Sequence, residues 1–536
     1  MSNQDIHPNK YSELRSICKY YIDSYIALYQ LKTEKEEELK DIYKIIKTEL
    51  IDSKKYPPKN IMEDILNIIR YNNRYTKSYL SLAKLISDDY HVEKVKNIPM
   101  ISILLFYKEY GIKLDKYLNF KNFNSVNMDI HTENTIYRAI MNNDLETFIL
   151  FTEREGFNKD QKLESSLYPF SFKSYNGYSL LELCCYHGAV DCFKFLRTKY
   201  GSEITQKCLQ LSFLGGNPEI MSECLKYQKP DKFCMEYAII SHNINFVTFL
   251  MNEFNIEIDL DYCVQYNNLE SFLVYFDQTN DINACFFNST RFNIPSLCKY
   301  FLSNGANINT KDKHEETALH KAARYDSKEI AELLISHGIN INEKNKYGET
   351  TLHRAARYDS KETAELLISH GANINEKDNE GESALHIAAY DNSKETAKLL
   401  ISHGININEK NNNGRTALHN ATRCDSKETA ELLISHGINI NEKNNNGETV
   451  LHKAIFYNSK ETAKLLISHG ININEKNNNG RTALRIAAFN NNKETVELLI
   501  SHGANTNEKD NMGDTPFILQ QLIIVKKQPN FLFHMV

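Results

Sequence analysis

Seven glycines, Gly305, Gly338, Gly371, Gly404, Gly437, Gly470 and Gly503, follow one another at an unbroken interval of 33 residues, and the words around them recur with them. A unit this short cannot cover its own apolar face, so it is stable only in a stack where each copy completes the core of the next. Each copy reads as a polar loop, a T-x-L-H-x-A word, two variable residues, an Asp or Asn, and K-E-x-A-x-L-L-I-S-H-G. The apolar spacing makes two helices of this. Thr317-Ala318-Leu319-His320, Thr350-Thr351-Leu352-His353, Ser383-Ala384-Leu385-His386, Thr416-Ala417-Leu418-His419 and Thr449-Val450-Leu451-His452 open the first helices. In the second helix Ala331, Leu333, Leu334 and their equivalents face the neighbouring copy. The predicted fold class is all-α, an α-solenoid of helix-turn-helix repeats with short β-hairpin loops.

The repeated residues have local reasons. Gly338 and its equivalents end the second helix, where a turn through positive φ would strain any Cβ by about 1–2 kcal/mol. Asp326, Asp359, Asn392, Asp425, Asn458 and Asn491 lie between the helices, where a short polar side chain accepts a left-handed turn or caps the following helix. The N-E-K-N-N-N-G loops are turn-forming, because Asn and Gly tolerate positive φ, and their tips are expected in solvent.

This pattern resembles the ankyrin-repeat family, whose period is 33 and whose signature is T-P-L-H-x-A followed by a helix ending in L-L-x-x-G-A. The resemblance covers 305–515. Ala usually replaces the signature Pro, Asp or Asn replaces the usual inter-helix Gly, and Arg485 replaces the histidine of the last full copy, which is therefore expected to be less well tied down. Membership implies that the T-x-L-H histidine is a scaffold residue bonding neighbouring loops and that the array binds proteins.

Upstream the pattern continues in worn form. Asn143-Asp144-Leu145-Glu146, Gly188-Ala189-Val190-Asp191, Gly216-Asn217-Pro218-Glu219, Asn243-Ile244-Asn245, Asn267-Asn268-Leu269-Glu270 and Asn293-Ile294-Pro295 each join two apolar stretches, at spacings of 45, 28, 27, 24 and 26. The shorter intervals hold two helices with little loop, and the 45-residue gap holds a polar insertion near 156–176. Aromatic and cysteine packing, as at Phe193, Phe195, Phe246, Phe249 and Phe272, replaces Ala and Leu there. The first 130 residues read as a helical leader broken at Pro57-Pro58, with amphipathic stretches from Ile61 to Ile86 and Ile98 to Tyr110. Its charged run Glu34 to Lys40 reads as a solvated helix face or, as the alternative, a coiled coil. The predicted layout is a leader (1–130), degenerate helix pairs (131–304), regular repeats (305–515) and a C-terminal partial repeat (516–536), poorly capped and prone to fray or self-associate. This layout resembles the large ankyrin-repeat families of trichomonad-type protist parasites, with an uncharacterised ankyrin-like domain before the regular repeats.

Composition narrows the function. Basic and acidic side chains number 63 and 69, a net charge of -6, so no field draws the chain to nucleic acid. Ile98 to Tyr107 is about half a bilayer span, and the first ten residues lack an apolar secretion stretch. A cytoplasmic location is expected, with the nucleus open. Eleven cysteines without a C-x-x-C pair read as reduced, buried thiols.

The phosphate-loop, dinucleotide, nucleophile-elbow and zincin words are absent, and the histidines follow the repeat one per slot, so no enzyme, metal, cofactor or small-molecule substrate is expected. A thiol enzyme around Cys184-Cys185 and His187 is the residual alternative, set against buried core cysteines. Arg324-Tyr325-Asp326-Ser327 and Arg357-Tyr358-Asp359-Ser360 place an arginine three before a serine, as a basophilic kinase prefers, although capping by Asp or Ser explains the same residues.

Positions that vary between otherwise fixed copies are free to serve a partner. They are Arg324 and Tyr325, Arg357 and Tyr358, Tyr390 and Asp391, Arg423 and Cys424, Phe456 and Tyr457, Phe489 and Asn490. Arg and aromatic rings are the residues that carry interface energy, although drift at exposed sites is the competing explanation. The predicted protein-binding set is Arg324, Tyr325, Arg357, Tyr358, Tyr390, Arg423, Phe456, Tyr457 and Phe489 on a concave face, with Lys346, Tyr347, Asn379 and Glu380 at loop tips. The alternative function is an adaptor whose array anchors the leader, or a protein bound to it, to a target.

Overall fold

The structure is a computed structural model that describes residues 10–53, 56–95, 98–114, 132, 134–169 and 177–516. The chain forms two compact units, Met1–Asp281 and Ile282–Val536.

The first unit opens with α1 (Lys10–Ile17), α2 (Lys19–Tyr29), α3 (Glu36–Ile45), α4 (Pro58–Ile68), α5 (Thr76–Tyr90) and α6 (Met100–Tyr110). Pro58 starts α4 at its first position, where a missing N–H leaves no bond unmade. The stretch read from Ile61 to Ile86 is divided, because Asn73–Tyr75 forms a 3-10 turn in which Asn73 is buried and donates to the Leu167 carbonyl at 2.9 Å. A polar side chain with a tertiary acceptor outcompetes helix continuation there. In α3, Glu36, Glu37 and Glu38 are exposed while Leu39 and Tyr43 are buried, a solvated helix with one anchored side.

All six worn joints connect helix pairs. Five lie in the first unit: Ile136–Asn142 with Leu145–Thr152, Leu180–His187 with Val190–Tyr200, Gln206–Gly215 with Pro218–Leu225, Lys232–Ile240 with Ile244–Phe254, and Leu260–Gln265 with Leu269–Thr279. The sixth, Ile282–Ser289 with Pro295–Ser303, begins the second unit. Each joint has a left-handed residue, Asn143, Gly188, Gly216, His242, Asn267 and Asn293 in turn. The insertion carries a two-stranded antiparallel pairing of Lys162–Leu163 with Tyr178–Ser179, while 170–176 lie outside the described residues. Ten cysteines are buried and reduced; Cys424 is exposed.

The second unit continues with six regular pairs, from Ala318–Arg324 with Lys328–Ser336 to Ala483–Phe489 with Lys493–Ser501. First helices pack on first helices and second on second, burying the Ala and Leu of every copy. The β-hairpin loops reduce to the single bridges Lys311↔Thr317 and Lys443↔Thr449. No helix among the described residues is long and apolar enough to cross a membrane. The tail expected to fray or self-associate lies, beyond Pro516, outside the described residues.

Candidate protein-binding face

The histidine of each T-x-L-H word fixes its own copy and the next. His320 Nδ1 accepts the Thr317 backbone N–H at 3.2 Å, and its Nε2 lies 3.2 Å from the Glu349 carbonyl. The same pairings recur at His353, His386, His419 and His452. Burial pushes the His320 and His419 imidazoles down to about 4, against the pull of the Glu349 and Glu448 carbonyls, so both rings are neutral scaffold groups.

The last copy departs from this, and the expectation that it is loosely tied is corrected. Arg485 is buried and donates to Asp510 at 3.0 Å and Asp514 at 3.3 Å, so an ion pair fastens the following loop where the other copies use an imidazole.

The loops are stitched together. Asn379, Asn412, Asn445, Asn478 and Asn511 each donate a side-chain N–H to a carbonyl one copy earlier, at 3.0–3.1 Å, and their backbone N–H groups do likewise. Lys344, Lys377, Lys410, Lys443 and Lys476 pair with the glutamates of the next copy at 2.5–2.8 Å. Asn379 is thus a stacking residue, exposed like Lys346, Tyr347 and Glu380 but with its side chain bonded to the preceding copy. Glycines Gly348, Gly381, Gly414, Gly447 and Gly480 have positive φ and lie so close to these asparagines that a Cβ would collide with the next copy's backbone N.

Every inter-helix Asp or Asn takes the left-handed conformation. The side chain caps a helix in the following copy: Asp326, Asp359, Asn392 and Asp425 accept the backbone N–H of Thr363, Thr396, Thr429 and Thr462 at 2.8–3.2 Å. Ser327 and Ser360 are buried N-cap residues without a side-chain cap bond, so the Arg-x-x-Ser serines are not displayed to a kinase.

The variable pair precedes this joint. Arg324, Arg423, Phe456 and Phe489 are exposed, and Tyr325, Arg357, Tyr358, Tyr390 and Tyr457 half-exposed. Arg324 lies over the Tyr358 ring and Arg423 over the Tyr390 ring, each 5.2 Å from the centroid. Arg357, Tyr390, Arg423, Tyr457 and Glu380 come together around one recess of about 250 Å³, which Arg415 and Lys453 also line. Arg357 is committed within the fold, bonding Glu349 at 2.6 Å and reaching Asp391 at 3.6 Å. Burial pushes the Glu349 carboxyl up, but Arg354, Asn345 and Arg357 outweigh it and hold it below the usual carboxylate range.

A family model for ankyrin repeats (three copies) matches residues 286–378, 372–444 and 437–510. Residues 286–510 are an array of ankyrin repeats. Ahead of the ankyrin array, a model for a domain of unknown function (DUF3447) matches residues 200–275, within the worn pairs. The chain is similar to the human ASB11 ankyrin repeat domain, at 22% identity over 41% of this chain and 98% of that one, with a TM-score of 0.38. No curated protein matches.

Asp391, one of the variable positions, engages Arg357 across copies. Two further residues that line the recess, Arg415 from a loop and Lys453 from a helix face, escaped sequence reasoning. Their signal was present, since 415 and 453 also vary between copies. The thiol alternative loses its nucleophile: Cys184 and Cys185 are buried, and burial pushes both thiols well above their ordinary range. Among the described residues no cluster of His, Cys, Asp or Glu has metal-binding geometry.

Proposed function

We propose that this ankyrin array is a non-enzymatic scaffold that binds a protein partner on the concave face formed by the ends of its first helices, with Lys346, Tyr347 and Glu380 at the rim. Ankyrin repeats mediate protein–protein interaction in general. The observation that carries the finer reading is the contrast within each copy: the stacking residues are buried and bonded to the next copy, while Arg324, Arg423, Phe456 and Phe489 stand exposed at a stretch that varies. Large rings and arginines clustered this way are the composition of an interface centre. The setting we propose is cytoplasmic.

Pull-down from native lysate with Arg324→Glu and Arg423→Glu tests the face; an unchanged partner list rejects it. Arg357 is a poor choice for this test because reversing it removes one partner of the buried Glu349 carboxylate and sets a second carboxylate beside it. The adaptor alternative requires a leader with a free surface; α1 has only Leu14 buried, while Arg15 and the Asn73–Tyr75 turn bond within their own unit.

A further inference from the structure

The N-N-N-G loops carry three Asn-Gly steps, Asn413-Gly414, Asn446-Gly447 and Asn479-Gly480. The three asparagines are exposed, and none of their side chains takes part in a hydrogen bond among the described residues. Their backbones are held twice. The glycine N–H of each step donates to the carbonyl three residues back, that of Asn411, Asn444 and Asn477 in turn, at 2.9 Å. The asparagine's own carbonyl accepts the backbone N–H of Asn445, Asn478 or Asn511 in the next copy, at 3.0–3.1 Å. The tips at Tyr347-Gly348 and Glu380-Gly381 have the same turn and the same stitch but no asparagine before the glycine. Asn304-Gly305, by contrast, ends a helix, and the Asn304 side chain is bonded to the Tyr300 carbonyl at 2.8 Å. Asn176-Gly177 has its asparagine outside the described residues.

A glycine after asparagine is chemically distinctive, because without a Cβ its amide nitrogen reaches the asparagine's side-chain carbonyl carbon with little steric hindrance. We infer that Asn413, Asn446 and Asn479 are deamidation sites guarded by the loop stack, and that their conversion to isoaspartate releases the following copy. In the reaction the Gly414 nitrogen bonds to Asn413 Cγ and the Cγ–Nδ2 bond breaks. The glycine's proton passes through water to the departing nitrogen, which leaves as ammonia. Water then opens the succinimide ring. Opening at the side-chain carbonyl yields aspartate; opening at the main-chain carbonyl yields isoaspartate, whose main chain runs through Cβ and Cγ and is one methylene longer. Water is the only co-reactant, and no electrons are transferred.

The guard is the turn. While the Gly414 N–H is bonded to Asn411 and the Asn413 carbonyl to Asn445, the peptide plane between the reacting groups is fixed, so conversion needs a local opening of the loop. The release follows from packing. A Cβ on Gly414, Gly447 or Gly480 would already stand 2.8–2.9 Å from the next copy's backbone N, so a longer main chain has no room in the stitched loop. The former acceptor carbonyl is by then part of a free carboxylate displaced from the line of the stitch.

The test incubates the full chain at one mildly alkaline pH, native and in urea, and follows each step by peptide mass mapping with isoaspartyl methyltransferase labelling. All three steps are expected to convert in urea, and roughly tenfold or more slowly in the native chain. Asn445→Ala, which deletes the side-chain bond to the Asn412 carbonyl, is expected to speed conversion of Asn413 and leave Asn479 at its own rate. In native chain aged until isoaspartate has formed at 413, hydrogen exchange at 441–448 is expected to rise. Asn413→Asp, which adds the charge without the methylene, is expected to keep that exchange slow. No conversion in urea, equal rates in native and unfolded chain, no effect of Asn445→Ala on Asn413, unchanged exchange in the isoaspartate form, or lost protection in Asn413→Asp each overturns the proposal.

Discussion

Asp326 Oδ1 accepts the backbone N–H of Thr363, 37 residues further along, at 3.0 Å, and the Thr363 hydroxyl at 2.9 Å. One side chain in a left-handed turn thereby caps a helix that begins in the next copy. The bond makes each copy's second helix depend on its predecessor, which is the physical content of nearest-neighbour stability in a repeat protein.

Asp326→Gly keeps the backbone conformation available and removes the cap. Thr363 is fully buried, so its orphaned N–H is expected to cost about 1–2 kcal/mol in urea unfolding. Asp326→Asn is expected to be nearly neutral, because Asn392 makes the same bond to Thr429. Equal losses for the two variants would refute the cap.

Two glycines with similar φ separate strain from collision. Gly437 (φ 81°) has open space where a Cβ would stand, whereas a Cβ on Gly414 (φ 71°) would lie 2.8 Å from the Asn445 backbone N. Gly437→Ala is expected to cost about 1–2 kcal/mol from backbone strain alone, and Gly414→Ala clearly more. Chemical denaturation ranks them, and the reverse order contradicts the stacked-loop geometry.

The T-x-L-H histidines give the array an acid limit. A folded-state pKa of about 4 for His320 and His419 lies below the unfolded value of about 6.5. The unfolded chain therefore binds more protons in that window. The stabilisation is complete above about pH 6.5 and is lost as pH falls toward 4, at up to about 1.4 kcal/mol per pH unit for each such ring. Melting temperature is expected to fall between pH 7 and 5. His419→Gln should flatten that slope, and an unaltered slope would assign the acid sensitivity elsewhere.

Removing Arg485 leaves the buried Asp510 carboxylate with only the longer Arg481 contact at 3.7 Å. Arg485→Ala is expected to loosen the final copy by roughly 3 kcal/mol or more, seen as faster hydrogen exchange in 503–514 while 384–400 is unaffected. Unchanged exchange in the last loop would mean that the ion pair does not hold it.

In the first unit Tyr186→Phe deletes both hydrogen bonds to the Arg70–Asn73 turn. With the site buried, a loss of about 1–3 kcal/mol is expected, read as a lower urea midpoint of the first unit's transition, with the second unit's unfolding unmoved.

The spacing of Gly305 to Gly503, the T-x-L-H words and the joint residues were enough to determine the helix pairs, the left-handed turns and even the six worn joints, because each depends on local backbone preference and on apolar period, which neighbours in sequence express. What Asn379, Asp326 and Arg485 bond to was decided only in three dimensions, since their partners lie one copy away and no local rule selects among chemically equivalent carbonyls and amides. The same holds for the exposed face. Variation marked Arg324 and Arg423 as free, but only packing distinguishes them from Arg357, which has the same position in its copy and is held by Glu349. The contacts that the leader makes with Tyr186 and Tyr266 left no mark in the sequence, because a helix that will pack on a solenoid has the same amphipathic pattern as one that will pack on anything else.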